Sequence, residues 1–277
     1  MSFQQYTTPI VENVRIARGT CQIRLHCPEL AAAIRPGQFV MVRSTQGTDP
    51  LLGRPFALYD TVLDDDGKPI GIDVVYLVVG KLTALLATLK EGDTLETWGP
   101  LGNGFPDPVG DKHVALVAGG IGQTPFLAHI RELLGARGYG GQLPRRRVQN
   151  VSLYYGVRSA DLAAGVSDFQ KAGATVHLAS NDGSIGHLGF VTDLLARHVA
   201  SQHVFGCGPE PMLHALAGYA ERRGIPCHLS LETPMACGVG ICFSCVTPVK
   251  TPDGGWDYKR VCVDGPVFDA RSLQWSI

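Results

Sequence analysis

The sequence lacks a strong excess of either charge. Its 277 residues carry 24 Lys and Arg against 25 Asp and Glu, a formal net charge of −1. Nucleic-acid-binding domains are normally basic on at least one face, so this balance argues against DNA or RNA as a partner. The short basic run Arg145–Arg147 does not change that, and we expect it to be a solvated loop.

Long apolar runs are missing as well. No stretch reaches the roughly 18 consecutive apolar residues that typify a membrane-spanning helix. Residues 1–6 show no basic region followed by an apolar segment, so we expect no secretory signal and a cytoplasmic location. In that reducing compartment the eight cysteines of the chain are not expected to form a disulfide framework.

The first hundred or so residues have the rhythm of a small β-barrel. Short segments rich in strand-forming residues are separated at short intervals by turn signals, which is typical of such barrels. The predicted strands cover residues 11–16, 21–26, 39–42 and 72–79, and one helical stretch covers 82–89.

From about His113 the rhythm changes to nearly continuous apolar runs with helical stretches between them. This alternation predicts a doubly wound parallel sheet, with strands near residues 113–118, 151–156, 174–179 and 202–206. After Leu231 the helical period disappears, and Gly and Cys dominate. We therefore expect three domains: a β-barrel over 1–109, an α/β domain over 110–228 and a cysteine-bearing module over 229–277.

Four cysteines crowd the last fifth of the chain. Cys237-x4-Cys242-x2-Cys245, followed by a distant Cys262, matches the spacing of plant-type [2Fe–2S] proteins. Small residues between the cysteines would let the backbone wrap closely around the inorganic sulfides. Structural zinc sites prefer paired C-x2-C hooks, of which only one exists here, so zinc is the weaker interpretation. Unligated thiols remain a third alternative.

Two Gly-rich loops follow predicted strands of the α/β region. The first, Gly119–Pro125, opens a helix, with Thr124 as a candidate N-cap and Pro125 at the first helical position. The second is Gly206–Met212. Each loop alone is equally well explained as a structural turn, since neither is the full G-x-G-x-x-G fingerprint. Together they would lie at the carboxyl ends of strands in one sheet, where ligands bind in such folds.

Two segments of the barrel are candidate phosphate contacts. In Arg54-Pro55-Phe56-Ala57, the planar guanidinium would suit a pyrophosphate, although such an Arg is often a surface ion-pair residue. Gly80–Thr83 precedes the helix of the barrel and would offer backbone N–H groups to the same phosphates. A simple helix cap is the alternative.

These elements in this order resemble the ferredoxin-reductase superfamily and, with the C-terminal cysteines, the electron-transfer subunits of class B dihydroorotate dehydrogenases. The segments that carry the resemblance are Gly99–Phe105, Gly119–Pro125, Cys207–Met212, Met235–Cys242 and Arg260–Phe268. The resemblance implies FAD on the barrel and NAD on the α/β domain, with Cys207 at the hydride-transfer end. The FAD contacts it implies are Arg54, Pro55, Phe56, Ala57, Val75, Tyr76, Leu77, Leu82 and Thr83. The expected NAD contacts are Gly120, Gly122, Thr124, Gly208 and Pro209.

Three positions depart from the family pattern. Ala57 stands where Ser is usual, Leu77 where Arg is common, and Leu82 where the phosphate loop often has a second Gly. Ala57 therefore lacks a hydroxyl for the flavin ring, and Leu77 lacks a charge for a ligand contact. Leu82 makes a close approach of the backbone to the pyrophosphate less favourable.

The resemblance implies an oxidoreductase subunit of pyrimidine biosynthesis. Electrons would pass from a catalytic subunit carrying FMN through the cluster and FAD to NAD⁺, in a heterotetramer with two copies of each chain. Flavin must lie between the other two groups because it alone exchanges both single electrons and electron pairs. Two alternatives stay open: an NAD(P)H-dependent reductase delivering electrons to ferredoxin, an oxygenase or a hydrogenase, and a non-catalytic zinc-binding module. Arg158 and Ser159 would suit an NADP 2′-phosphate or be an ordinary loop.

Overall fold

The first of three sheets is formed by the N-terminal hundred residues. We analysed a computed structural model that describes residues 4–108, 110–197 and 202–275. The N-terminal strands are β1 Gln4–Ala17, β2 Thr20–His26, β3 Phe39–Ser44, β4 Arg54–Ala57, β5 Asp60–Leu63, β6 Pro69–Leu77 and β7 Thr94–Leu101. Two short helices accompany them, α1 Pro28–Ala33 and α2 Lys81–Leu86.

This antiparallel sheet is curled but open. Its strand order is β4-β3-β7-β1-β2-β6-β5, so β4 and β5 form two free edges. The curl arises in β1, whose first half, Gln4–Pro9, pairs with β7 while the segment from Ile10 pairs with β2. The predicted barrel is therefore a half-barrel. The predicted helix over 82–89 is shorter in the structure, where α2 ends at Leu86.

Side chains in this sheet follow the two-residue period of a pleated strand. In β7, Leu95, Thr97, Gly99 and Leu101 are buried and the residues that alternate with them are partly exposed. Full burial of each such Leu stabilises the fold by about 2 kcal/mol.

The second sheet belongs to the α/β region. Its strands are β8 His113–Gly119, β9 Asn150–Val157, β10 Thr175–Ser180, β11 His187–Leu188, β12 His203–Cys207 and β13 Cys227–Ser230. The helices around it are α3 Phe126–Leu133, α4 Val166–Lys171, α5 Val191–Ala196 and α6 Glu210–Arg223, with short 3₁₀ turns at Gly120–Gln123 and Ala160–Leu162. These strands are parallel, in the order β11-β10-β9-β8-β12-β13, as the apolar runs predicted.

The C-terminal region completes that sheet and adds a hairpin of its own. The hairpin consists of β14 Val246–Lys250 and β15 Trp256–Arg260, and β16 Val267–Asp269 precedes a final 3₁₀ turn, Ala270–Ser272. β16 pairs antiparallel with β13 at the edge of the second sheet. The C-terminal region is thus joined to the α/β domain by backbone hydrogen bonds. Among the described helices, none is long and apolar enough to cross a membrane.

Buried polar contacts join the half-barrel to the α/β domain. The Asp60 carboxylate on β5 accepts hydrogen bonds from Arg131, from Arg137 at 2.9 Å and from the Tyr139 hydroxyl at 2.7 Å. The adjacent Tyr59 hydroxyl donates to Asp168 at 2.9 Å. Pairing compensates the buried charge, and the two domains are held in one arrangement.

The basic run Arg145–Arg147 is only partly the solvated loop that we expected. Arg145 is exposed, but Arg146 donates to the backbone oxygens of Val148 and Gln149. Arg147 pairs with Asp107 and with Glu132, which is at 3.1 Å. Arg147 therefore joins the loop to other elements, whereas Arg146 is itself exposed and bonds to backbone of the same loop.

Candidate functional site

A cavity of about 460 Å³ lies where the half-barrel, the α/β sheet and the start of the cysteine region meet. Three groups of residues line it. The half-barrel contributes Gly37, Phe39, Arg54, Pro55, Phe56, Ala57, Val75, Tyr76, Leu77, Val79, Gly80, Lys81, Leu82 and Thr83; the α/β loops contribute Ile121, Thr124 and Cys207; and the C-terminal region contributes Ser230, Leu231, Glu232, Thr233, Pro234, Met235 and Pro266. All nine residues expected to contact FAD are among them.

Arg54 lies on the edge strand β4 with its side chain exposed. The guanidinium Nη1 donates to the backbone oxygens of Leu52 at 3.1 Å and Gly53 at 3.0 Å. Among the described residues no carboxylate pairs with it, so its charge is free to meet an anionic ligand. Because β4 is an edge strand, the Arg54 guanidinium is accessible from the cavity.

The remaining half-barrel residues shape the cavity wall. The Thr83 hydroxyl accepts hydrogen bonds from the backbone N–H groups of Val79 and Gly80, each at 3.0 Å, and so fixes the loop before α2. The Tyr76 hydroxyl donates to Asn13 Oδ1 at 3.1 Å, and burial raises the pKa of that hydroxyl. Both hydroxyls therefore already have partners within the protein.

The two Gly-rich loops contact each other beside the cavity. A Cβ added to Gly122 would lie 2.3 Å from the backbone oxygen of Cys207, and one added to Gly208 would lie 2.9 Å from the Gly119 nitrogen. Gly120, Gly122, Gly208 and Pro209 do not line the cavity, whereas Thr124 and Cys207 do. The glycines thus allow close packing of one loop on the other.

The prediction that Thr124 caps a helix is wrong. Gly120–Gln123 forms a 3₁₀ turn, Thr124 itself has helical angles of φ −57° and ψ −42°, and α3 begins only at Phe126 after Pro125. The chain reaches the helix through a continuous turn, which leaves the Thr124 side chain at the cavity.

Cys207 is the last residue of β12 and is 2% exposed. Burial raises the pKa of its thiol well above the ordinary value, and the nearby Glu232 carboxylate adds to the effect. The thiol is therefore neutral at physiological pH, unlike the thiolate of a nucleophilic cysteine.

The residues from Ser230 to Met235 were missed in the sequence analysis. Ser230 ends β13 and the others follow it, and the four residues of that strand form no clear apolar run. The signal that could have located them is topological: β13 is parallel to β12, so its carboxyl end also opens onto the cavity. Thr233 lines the cavity, and its buried Oγ1 has no hydrogen-bond partner in the part of the chain that the structure describes. A polar ligand group such as a flavin ring would satisfy that atom, so the cavity fits FAD.

The four predicted metal-binding cysteines lie beside the half-barrel. Trp98 Nε1 on β7 donates to the Cys237 backbone oxygen at 3.0 Å, which anchors the cysteine loop to that strand. Gly238 has φ 73°, and a Cβ there would lie 2.5 Å from Met41 Cγ, so only glycine allows this close approach. The loop is thus held against β7 and β3, and Phe39 of β3 also lines the cavity.

The strongest thiol–thiol interactions join Cys237 with Cys242 and Cys245 with Cys262, and the Cys237 charge also acts on Cys262. Burial disfavours the Cys237 thiolate, but backbone N–H groups of Cys242, Val239 and Ile241 outweigh it and lower the pKa to about 7. Burial and the neighbouring Cys245 raise the pKa of Cys262 to about 12. Within the described ranges, no three ligating side chains converge on one point as a single zinc ion requires. A [2Fe–2S] cluster takes two protein ligands on each iron, and the two pairs fit that donor arrangement.

Comparison with known proteins agrees with this donor set. Residues 232–274 match the model of the iron–sulfur cluster binding domain of dihydroorotate dehydrogenase B. The electron transfer subunit of NAD⁺-dependent dihydroorotate dehydrogenase B from Geobacillus kaustophilus is 40% identical over 261 residues, which cover 93% of this chain and 94% of that protein. The corresponding subunit from Clostridium acetobutylicum is 34% identical and covers 98% of both chains. The chain belongs to the family of dihydroorotate dehydrogenase B electron transfer subunits.

A solved structure has the same fold as this family member. The NADH-dependent reduced ferredoxin–NADP oxidoreductase superposes with a TM-score of 0.79 at 28% identity, over 98% of this chain and 90% of that one. The predicted family and fold class are confirmed. The comparisons also support the predicted cofactors: the cysteine region matches an iron–sulfur domain, and the fold is that of a flavin- and nicotinamide-dependent reductase.

Proposed function

We propose that this chain is the subunit that passes electrons from a dihydroorotate-oxidising partner carrying FMN to NAD⁺ in pyrimidine biosynthesis. Its relatives are named electron transfer subunits, so a separate catalytic subunit supplies the electrons. When bound, the cluster supplies one-electron exchange, the flavin exchanges one or two electrons, and the nicotinamide takes a hydride.

The observation that carries the proposal is the adjacency of the cysteine loop and the cavity: the loop packs on β3, whose Phe39 lines the cavity. The loop is tied to β7 through Trp98, and residues 230–235 run directly from the cavity into the cysteines. Electrons would therefore cross a short, packed stretch of protein. Arg54 would bind the FAD pyrophosphate, Thr233 the flavin ring, and Cys207 would pack at the nicotinamide end.

The four cysteines would hold the cluster. The backbone N–H groups around Cys237 would donate to sulfur and tune the potential of the cluster. Gly120, Gly122, Thr124, Gly208 and Pro209 would position NAD by shaping the two loops at the carboxyl ends of β8 and β12. We further propose a cytoplasmic heterotetramer and the division into domains 1–109, 110–228 and 229–277.

Co-expression with an FMN-containing dihydroorotate oxidase tests the proposal. The two chains should co-purify, the complex should contain FAD, FMN, iron and sulfide, and dihydroorotate should reduce NAD⁺ faster than NADP⁺. Full dihydroorotate:NAD activity of this chain alone would contradict the assigned roles. Stoichiometric zinc with no flavin absorbance would instead favour a non-catalytic module, and exclusive reduction of ferredoxin by NADPH would favour an outward-running reductase.

A further inference from the structure

A second cavity, of about 290 Å³, lies between the half-barrel and the α/β domain. None of its lining residues lines the first cavity, so it is separate from the flavin site. Its volume is near the lower limit for small-molecule sites, so a ligand of few atoms is expected. Side chains from both domains line it: Arg35, Phe105 and Asp107 of the half-barrel, and Glu132, Gln142 and Arg147 of α3 and the segment that follows it.

One part of this cavity keeps an excess negative charge. The Arg147 guanidinium is shared by two carboxylates, those of Asp107 and Glu132, and the Glu132 oxygen lies at 3.1 Å. His129 Nδ1 is 3.6 Å from Glu132, but burial lowers the pKa of that imidazole and keeps it neutral. A single guanidinium cannot neutralise two carboxylates, so one negative charge remains uncompensated.

Arg35 supplies the matching positive charge, which no carboxylate in the described part of the chain neutralises. Its aliphatic stem packs across the domain boundary, because a Cβ added to Gly140 would lie 2.4 Å from Arg35 Cγ. The stem is thus held in place although the residue is exposed. Arg35 lines the same cavity as Asp107 and Glu132 but contacts neither carboxylate, so the opposite charges are separated.

We propose that this cavity binds the zwitterion of a free α-amino acid. Its carboxylate would accept hydrogen bonds from the planar fork of Arg35, and its ammonium would donate to the oxygens of Asp107 and Glu132 that Arg147 leaves free. The buried Phe105 ring, stacked on His129 at 4.4 Å, would contact the amino-acid side chain.

The balance of charge is what favours a zwitterion over a simple ion. The four charged side chains of the cavity sum to zero, yet one positive and one negative charge have no partner among the described residues. An anion alone would leave the negative charge unpaired, and a cation alone would leave Arg35 unpaired. A neutral ligand that carries both charges pairs each of them, and the site needs neither flavin nor cluster.

Isothermal titration calorimetry of the purified holoprotein tests the proposal. The probes are the standard L-amino acids, with acetate and methylammonium as compounds that each carry only one of the two charges. At least one amino acid should bind with a dissociation constant about 10-fold or more below those of both single-charge probes, and should raise the thermal midpoint by mass action. Acetate that binds as tightly as every amino acid, or no saturable binding by any amino acid, overturns the proposal and leaves the proposed function intact.

Variants at the cavity separate the two charges. Arg35→Met keeps the aliphatic stem beside Gly140, so we expect normal flavin content, but the amino-acid dissociation constant should rise at least about 10-fold, as for a lost charged hydrogen bond. Methylammonium should then bind better than acetate, and Asp107→Asn should show the reverse preference. Arg35→Lys should recover part of the affinity, and Arg145→Ala, an exposed change outside the cavity, should leave it unchanged. Equal affinity in wild type and Arg35→Met contradicts the proposed site.

Discussion

At the residue scale, Arg54 shows how the chain keeps a cation available. Its guanidinium is bound to carbonyl oxygens that orient it but do not neutralise it. A planar fork held in this way suits a pyrophosphate, whose oxygens can accept two parallel hydrogen bonds.

Replacement of this side chain should therefore weaken flavin binding. In Arg54→Ala, we expect the FAD dissociation constant to rise roughly 10- to 100-fold, the range for loss of one or two hydrogen bonds to a charged group. Flavin fluorescence during equilibrium dialysis measures the change. Arg145→Ala removes an exposed guanidinium elsewhere and should leave the affinity unchanged; equal losses in both variants would argue against a pyrophosphate contact.

The cysteines allow a second test at this scale. Cys245→Ser should remove the cluster and stop electron flow from the partner, while NADH still reduces the flavin, because the hydride path does not include the cysteine loop. Absorbance and electron paramagnetic resonance report the cluster, and stopped-flow reduction reports the flavin. Cys227→Ala, a buried cysteine outside the loop, should retain both signals. Loss of both activities in Cys245→Ser would indicate that the cysteine region is required for folding.

At the scale of elements, the two Gly-rich loops act through each other. Gly122 lies against the Cys207 carbonyl, so the end of β12 and the turn after β8 cannot move independently. Gly120, in the same turn, has φ 56° but no neighbour within 4 Å of an added Cβ. Gly122 therefore allows close packing, whereas Gly120 only allows a left-handed backbone conformation.

This contrast predicts different effects of two conservative changes. Gly122→Ala should displace the Cys207 end of β12, lower stability by about 1–3 kcal/mol through overpacking, and slow hydride transfer from NADH. Gly120→Ala should cost about 1 kcal/mol through the left-handed φ alone and leave hydride transfer largely intact. Thermal unfolding and single-turnover kinetics of both variants measure this. A Gly120 variant that is the slower of the two would contradict the packing role.

At the scale of the whole molecule, a largely buried polar chain links the loop before β8 to the neighbouring strands β12 and β13. Asp111 contacts His203 Nδ1 at 3.1 Å, and His203 Nε2 contacts His228 Nδ1 at 2.9 Å. Burial, followed by the neighbouring His203, lowers the pKa of His228 to about 4, and burial also lowers the pKa of His203. Both rings are therefore neutral in the folded protein near neutral pH.

The fold should lose stability as the pH falls from about 6.5, the ordinary pKa of histidine, toward 4, because the unfolded chain then binds protons that the folded chain excludes. His228→Asn should weaken this dependence while keeping a polar partner for His203. Urea unfolding at several pH values measures it, with the exposed His26→Asn as control. An identical pH dependence in wild type and His228→Asn would mean that His228 does not govern acid sensitivity.

The sequence by itself predicted four cysteines with the spacing of cluster ligands and the change from an antiparallel β-rich region to a parallel sheet, and its family resemblance pointed to nine residues that do line the cavity. These are local properties: Cys spacing sets which thiols can meet, and the period of apolar residues sets the type of strand. Only the tertiary structure decided which other residues complete the cavity. Glu232 and Thr233 have no local signature, because they become cavity residues only where β13 aligns with β12. The pairing of β16 with β13 and the burial of Arg147 likewise depend on segments far apart in the chain, and no short sequence pattern encodes contacts made across that distance.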